Sequence, residues 1–318
     1  MCYSAMVRRG LKKVLRFQAR LDYPMFETLF RRRATEGGIR IPKAMEADFY
    51  EPENAAEQRI KSDIEIFHER KTEELETELF KQRKRLADAE RKLKTKETKK
   101  AREEQRIASS KVQWHLDQLA ALRRTSLEPE DFRIFPFWYA PVVVLENGEA
   151  VIKPMRYHCR PHGKPAGFDR RFDGLYNARR DSLEGFWRDL FGRQHGCLAI
   201  SSFYENVALH EFEKRALRSG EKPKNLVLHF NPQPPTDMML ACLWDRWQSP
   251  HEPDLCSFAA VTDDPPPEVA ATGHNRCVIP LKDANVLEWL APQGRNLEGL
   301  YRLLDDRERP YYVHELAA

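Results

Sequence analysis

No pair of cysteines in this 318-residue chain is spaced C-x-x-C, and cysteine is scarce: Cys2, Cys159, Cys197, Cys242, Cys256 and Cys277. The usual zinc-ribbon and thioredoxin-like signatures are therefore excluded. Long apolar runs are missing as well. The longest, 138–145, contains Pro141, whereas a membrane span needs about 20 apolar residues. No membrane partner is expected. Residues 1–20 hold no apolar h-region, so no export signal, reduced thiols and a cytoplasmic location are expected, nucleoid-associated if the source is bacterial. No Walker loop, G-x-G-x-x-G or G-x-S-x-G occurs, which removes the commonest nucleotide-binding and serine-hydrolase readings. Glycine and proline are absent from 53–128.

Apolar residues make up 41% and charged residues 32%. That is enough to build a core while leaving part of the chain polar all round. The net charge of +4 conceals segregation: residues 1–43 carry +8, residues 153–180 carry +6, and the remainder carries −10. Basic stretches on an otherwise acidic chain suit a polyanion, with nucleic acid the first candidate. Scattered surface charge is the plainer alternative.

Three regions follow from composition. Residues 1–52 are basic and mixed, with short helices predicted at 10–19 and 23–35. Residues 53–128 are dense in strong helix formers. A heptad seam carries Leu75, Leu79, Leu86, Ala89, Leu93 and Ile107, but also Gln82, Lys96, Lys100 and Glu103, so the coiled-coil signal fades after Leu93. A break at Ser109 and Ser110 is expected, with Val112, Leu116, Leu119 and Leu122 on a second helix that folds back. An unbroken rod would extend about 100 Å. Residues 129–318 read as the main globular part. Strands are predicted at 135–145, 149–154, 197–204, 225–231, 238–244, 257–262 and 278–281, and helices at 182–191, 267–272 and 283–290. Strands with few long helices indicate an α+β fold.

Met1-Cys2 opens the chemistry. Removal of Met1 leaves an α-amine (pKa about 7.7–8.0) beside a thiol (about 8.5). This aminothiol condenses with an aldehyde to an imine, and the thiol then closes a thiazolidine ring. An internal cysteine cannot do this, because its nitrogen is an amide. Asn177-Ala178-Arg179-Arg180 follows Tyr176, and Ser182 is placed to cap the predicted helix. Such a turn suits phosphate oxygens; an ordinary capped loop is the alternative. Glu205 ends an apolar strand, where partial desolvation favours proton transfer; a surface strand-end glutamate is the alternative. His274 precedes an apolar strand and is placed for acid–base work or for a structural role. Zinc would use His158, Cys159, His162, His195 and Cys197, but Pro161 prevents a helical H-x-x-x-H, so neither metal nor cofactor is expected.

Together these segments resemble the SRAP (SOS response-associated peptidase) family. The carriers are the Met1-Cys2 start, Asn177-Ala178-Arg179 for the N-A-R motif, and the strand ending Phe203-Tyr204-Glu205 for G-F-Y-E-W. Leu243-Trp244-Asp245-Arg246-Trp247 is similar to L-W-E-x-W. Ser257-Phe258 through Thr262 is similar to S-F-x-x-x-T, and the run from His274 through Arg276 to Leu281 to H-x-R-M-P-V-x-L. Tyr139-Ala140-Pro141 and Glu288-Trp289-Leu290 fit further segments. The resemblance covers 1–10 and about 130–295.

The resemblance implies an α+β fold with a barrel-like, mainly antiparallel core, short flanking helices and a long helical insertion. Its function would be covalent cross-linking to abasic sites in single-stranded DNA during the DNA damage response. In that reading Cys2 is the nucleophile, Glu205 manages protons on amine and ring, and His274 assists imine and ring steps. Asn177 holds the N-terminus or the opened deoxyribose, and Arg179 a flanking phosphate, with Arg180 and Arg276 as further DNA contacts. The 153–180 stretch would track the strand. The same Cys2 would serve an autopeptidase, and a cysteine-dependent peptidase or amidase is the alternative function. Departures are specific. Tyr3-Ser4 replaces the family's Gly-Arg, leaving Arg8 or Arg9 to compensate. Tyr157 is the nearest substitute for a missing aromatic wedge. Cys277-Val278 replaces Met-Pro, and Asn206 replaces Trp. The insertion has DNA, a partner protein or a second copy as candidate partners.

Overall fold

The computed structural model describes residues 2–7, 19–294 and 296–317, with only the backbone for Cys2 and Tyr3. The chain divides into two units. One holds the residues through Leu29, Ile39–Glu51 and everything from Pro129; the other holds Phe30–Gly38 and Pro52–Glu128.

The first unit is built on strands β1 (Cys2–Val7), β2 (Arg20–Leu21), β3 (Arg133–Ile134), β4 (Tyr139–Glu146), β5 (Glu149–Tyr157), β6 (Asn177–Arg179) and β7 (His195–Ala208). It continues with β8 (Asn225–Gln233), β9 (Met238–Trp247), β10 (Leu255–Asp263), β11 (Cys277–Val278), β12 (Pro280–Leu281) and β13 (Tyr311–Leu316). Strands β9, β10, β5, β4 and β7 pair in turn and β7 returns to β9, so these five close a ring. Most pairings are antiparallel; β10 runs parallel to β5 and β6, and β2 to β5. The fold is α+β with a barrel-like, mainly antiparallel core.

Local chemistry explains the ring. β4 and β5 join through Asn147-Gly148, both at positive φ, with Glu146 opposite Glu149. Asn-Gly is the favoured two-residue hairpin turn because both positions need that backbone region. At Gly196 a Cβ would come within 2.8 Å of Val142 Cγ1, so only glycine lets β7 lie this close to β4. Ring-facing Val142, Leu198, Leu240, Met155 and Phe258 form the core. Trp289 closes the packing from its helix, fully buried, and its indole donates to the Gly196 carbonyl at 3.0 Å.

The 182–191 helix does not form. A short 3-10 helix (Arg180–Ser182) gives way to turns, and Ser182 Oγ donates back to the Arg179 carbonyl instead of capping forward. Gly185 in the middle of the stretch removes helical preference. Several elements escape the sequence reading, among them β1, β6 and two near the C-terminal end. The helix Leu297–Asp305 buries Leu300, Leu303 and Leu304 at helical spacing behind an Asn296 cap, and β13 pairs with β8 although its residues are largely exposed. The segment expected as a helix at 10–19 lies, from 10 to 18, outside the described residues.

The second unit is a helical hairpin. Its long helix Ala55–Thr95 starts on Asn54, whose side chain accepts from the Ala56 and Glu57 amides. The return helix is Lys99–Arg123. Leu75, Leu79 and Leu119 pack with Val112, Leu116 and Leu122, and Arg85 bridges to Glu104 across the pair. The break lies at Lys96-Glu97-Thr98, not at Ser109 and Ser110, which stay helical. Thr98 Oγ1 accepts from the Ala101 amide, and this cap restarts the helix there.

Candidate active site

Strand β7 continues beyond the ring and pairs with β1 on one edge and β8 on the other. The register sets the Cys2 backbone opposite Glu205 and Ser4 opposite Tyr204. Two residues of β1 thus answer one of β7, a bulge centred on Tyr3. Bulges of this kind locally re-aim a strand and are common beside active sites.

Glu205 is fully buried, and its Oε2 lies 3.4 Å from His274 Nε2, itself only 8% exposed. His274 follows Gly273, whose φ of +90° and 2.8 Å approach of a virtual Cβ to Glu211 Cβ admit only glycine. His274 Nδ1 sits 2.7 Å from the Arg276 carbonyl. A carbonyl only accepts, so Nδ1 carries the proton and Nε2 faces the carboxyl group. Burial lowers the His274 pKa to about 4, which favours neutral imidazole with an unprotonated Nε2 facing Glu205. A cavity of about 280 Å³ opens beside this pair, lined by Tyr176, Asn206, Glu211, His274, Asn275 and Arg276. It is small and polar, sized for one compact group.

Asn177 follows Tyr176 into β6 and accepts from Thr262 Oγ1 at 2.5 Å. Arg179 pairs with Asp181 at 2.7 Å and Asp264 at 3.4 Å. Arg180 is held by Asp263 at 3.1 Å and Asp305, so its charge is neutralised within the fold. Tyr157 is 2% exposed and stacks on Phe258; buried in the core, it has no face for a base. Arg276 is half-buried at the cavity. Arg8 and Arg9 lie outside the described residues. The +6 stretch is partly neutralised by acids from elsewhere in the chain: Lys153 pairs with Asp22 and Glu146, and Arg160 lies 3.9 Å from Glu252, while Arg156 and Arg160 share Asp169 of the stretch itself. Lys164, Arg170 and Arg171 stay exposed and outside these pairs. Counting charges along the chain cannot foresee this, because the neutralising acids are supplied by the fold. Arg133 was missed by sequence reasoning: its Nε donates to Ser4 Oγ at 2.9 Å, and its guanidinium lies 3.6 Å over Tyr204. A basic group therefore stands beside Ser4 after all.

Burial pushes the thiols of Cys159, Cys197, Cys242 and Cys277 well up, and that of Cys256 to about 11. None of these five is a thiolate nucleophile near neutral pH. Burial also lowers four histidines, three of them far: His158 and His274 to about 4 and His195 to about 3, with His229 shifted in the same direction. Unfolded histidine protonates near 6.5. Below that pH the unfolded chain takes up protons that the folded chain refuses, so stability is fullest above it and falls as pH drops toward 4. Three such groups give a slope of up to on the order of 4 kcal/mol per pH unit. Urea midpoints at neutral pH and near pH 5 are expected to differ strongly; equal midpoints would refute the neutral assignment.

Fold and site define an α+β barrel protein with a buried carboxyl–imidazole pair against its N-terminal strand. The chain belongs to the SOS response associated peptidase (SRAP) family, whose sequence profile matches residues 89–316. The match takes in Asn177, Glu205 and His274 and begins inside the long helix, downstream of Cys2. Membership ties the protein to the DNA damage response, DNA-related binding and an enzyme-like activity. Solved structures that resemble it include a Bordetella bronchiseptica protein (19% identity, 61% of this chain and 90% of that one, TM-score 0.45). Others are a Bacteroides thetaiotaomicron protein (13%, 57% and 77%, TM-score 0.45) and a phage-related protein from Bordetella bronchiseptica (17%, 62% and 85%, TM-score 0.44). No curated protein matches. No helix among the described residues is long and apolar enough to cross a membrane.

Proposed function

We propose that this protein senses abasic sites in single-stranded DNA and forms a thiazolidine cross-link through Cys2 once Met1 is removed, shielding the lesion. The observation that carries the reading is the strand register placing the Cys2 backbone opposite Glu205, which is itself in contact with His274. The open-chain deoxyribose supplies an aldehyde. The Cys2 amine adds to it and water leaves, giving an imine. The thiol sulfur then adds to the imine carbon, and its proton passes to nitrogen. Glu205 and His274 carry these protons, as a base within reach of a positioned nucleophile should. The polar cavity beside His274 receives the sugar, with Asn177 next to its Tyr176 wall and Arg276 and Arg179 serving phosphate oxygens.

The family's description as a peptidase favours a second use of the same groups. There, Cys2 would attack a peptide carbonyl. The deciding experiment is intact-mass measurement after incubation with a single-stranded oligonucleotide bearing one abasic site. A gain of one oligonucleotide less one water, mapped to Cys2, is expected. Unmodified protein lacking Met1 beside intact oligonucleotide would reject the reading, and turnover of peptides would support the second.

A further inference from the structure

Charge in the helical hairpin is polarised along its length. Residues 81–105, around the turn, carry +6, whereas 53–80 and 106–128 together carry −3. At the turn end the helices part around a groove of about 940 Å³. Its floor is made by Ala89 and Ala101. Farther along, leucines fill the interface; here two small side chains leave it open. Seven Lys/Arg and two acids, Asp88 and Glu104, line the groove.

Some of these cations are occupied. Arg85 is bound to Glu104, Arg91 to Asp88 at 2.6 Å and Lys81 to Glu78 at 2.6 Å. Lys84, Lys92, Lys96 and Lys100 are exposed and form no ion pair among the described residues. Four like charges kept together with two acids nearby cost self-repulsion, and an anionic chain laid in the groove would relieve it. Phe80 and Trp114, 72% and 54% exposed, stand on the two helices of the same hairpin. Cationic grooves accompanied by exposed aromatics suit single-stranded nucleic acid, with phosphates on the cations and bases on the rings.

We infer that the turn end of the hairpin is a second nucleic-acid contact, with Lys84, Lys92, Lys96 and Lys100 gripping the phosphate backbone without regard to sequence or lesion. The choice of nucleic acid over other polyanions rests on the function proposed above. The role is tethering: it raises local concentration on DNA and takes no part in the covalent step.

The test uses the full chain with all four lysines changed to Gln, a good helix former, and unchanged far-UV circular dichroism as the fold control. Binding to an unmodified single-stranded oligonucleotide is followed by fluorescence anisotropy over a salt series. Loss of four phosphate contacts is expected to reduce the log–log salt slope by about 3 and to weaken binding at least about tenfold at low salt. An unchanged slope and affinity overturns the inference. So does lysine-dependent binding to phosphatidylserine vesicles with none to the oligonucleotide. Since this oligonucleotide has no abasic site, the outcome is independent of cross-linking. Tip-dependent binding without any adduct at an abasic site would reject the proposed function alone. Adduct formation with tip-independent binding would reject this inference alone.

Discussion

Cys2→Ala is expected to abolish the heat-stable adduct with abasic single-stranded DNA. The variant keeps the backbone of β1 and its pairing with Glu205, since strand pairing needs no thiol. It also keeps an α-amine after Met1 removal, so an imine still forms. That imine has no sulfur to close on its carbon, and water reverses it. Borohydride reduction should therefore trap an adduct in the variant, while heating without reductant should leave none. None of the buried thiols can take over, because burial holds each of them protonated. A heat-stable adduct in Cys2→Ala would refute the thiazolidine assignment. A borohydride-trapped adduct on a lysine would move the nucleophile elsewhere.

The second large effect concerns Glu205. Glu205→Gln preserves the shape of a fully buried side chain while removing its capacity to exchange a proton. Positioned acid–base groups contribute about 10²- to 10⁴-fold, so the single-turnover rate of adduct formation should fall by that order. His274→Gln should fall comparably, since Gln can still donate to the Arg276 carbonyl but cannot take up and return a proton. The two groups act as a unit across 3.4 Å. The double variant should therefore cost little more than either single one, the non-additivity expected of coupled catalytic groups. Fully additive losses would mean that the residues act separately. Unchanged rates in both singles, with binding intact, would reduce the pair to a structural contact.

What could be read along the chain depended on how local the cause was. Strand β4 and the start of β5 are legible because a run of β-branched residues meets an Asn-Gly turn. The helical insertion is legible because 53–128 lacks both helix breakers. Its break was misplaced because serine weakens a helix only slightly, whereas the Thr98 cap acts through a hydrogen bond to a backbone amide three residues on. The 182–191 stretch reads as helical by its apolar spacing, yet its Leu183, Trp187, Leu190 and Phe191 are buried from turns. Burial satisfied the pattern without the helix.

By itself the sequence determined the chemical inventory: a Met-Cys pair at positions 1 and 2, a glutamate following an apolar run, a histidine after glycine, and a hairpin of helix formers. These are properties of residue type and of neighbours a few positions apart. Only the tertiary structure decided which groups meet and which charges survive. Strand register set the Cys2 backbone opposite Glu205, and the close approach at Gly273 delivered His274 to the Glu205 carboxyl group. Tyr157 was withdrawn into the core. Acids distant in sequence pair with Lys153, Arg160 and Arg180, while Lys84, Lys92, Lys96 and Lys100 form no ion pair among the described residues. The reason is physical: ion pairing and proton transfer act over a few ångströms, and only folding sets those distances between residues far apart in the chain.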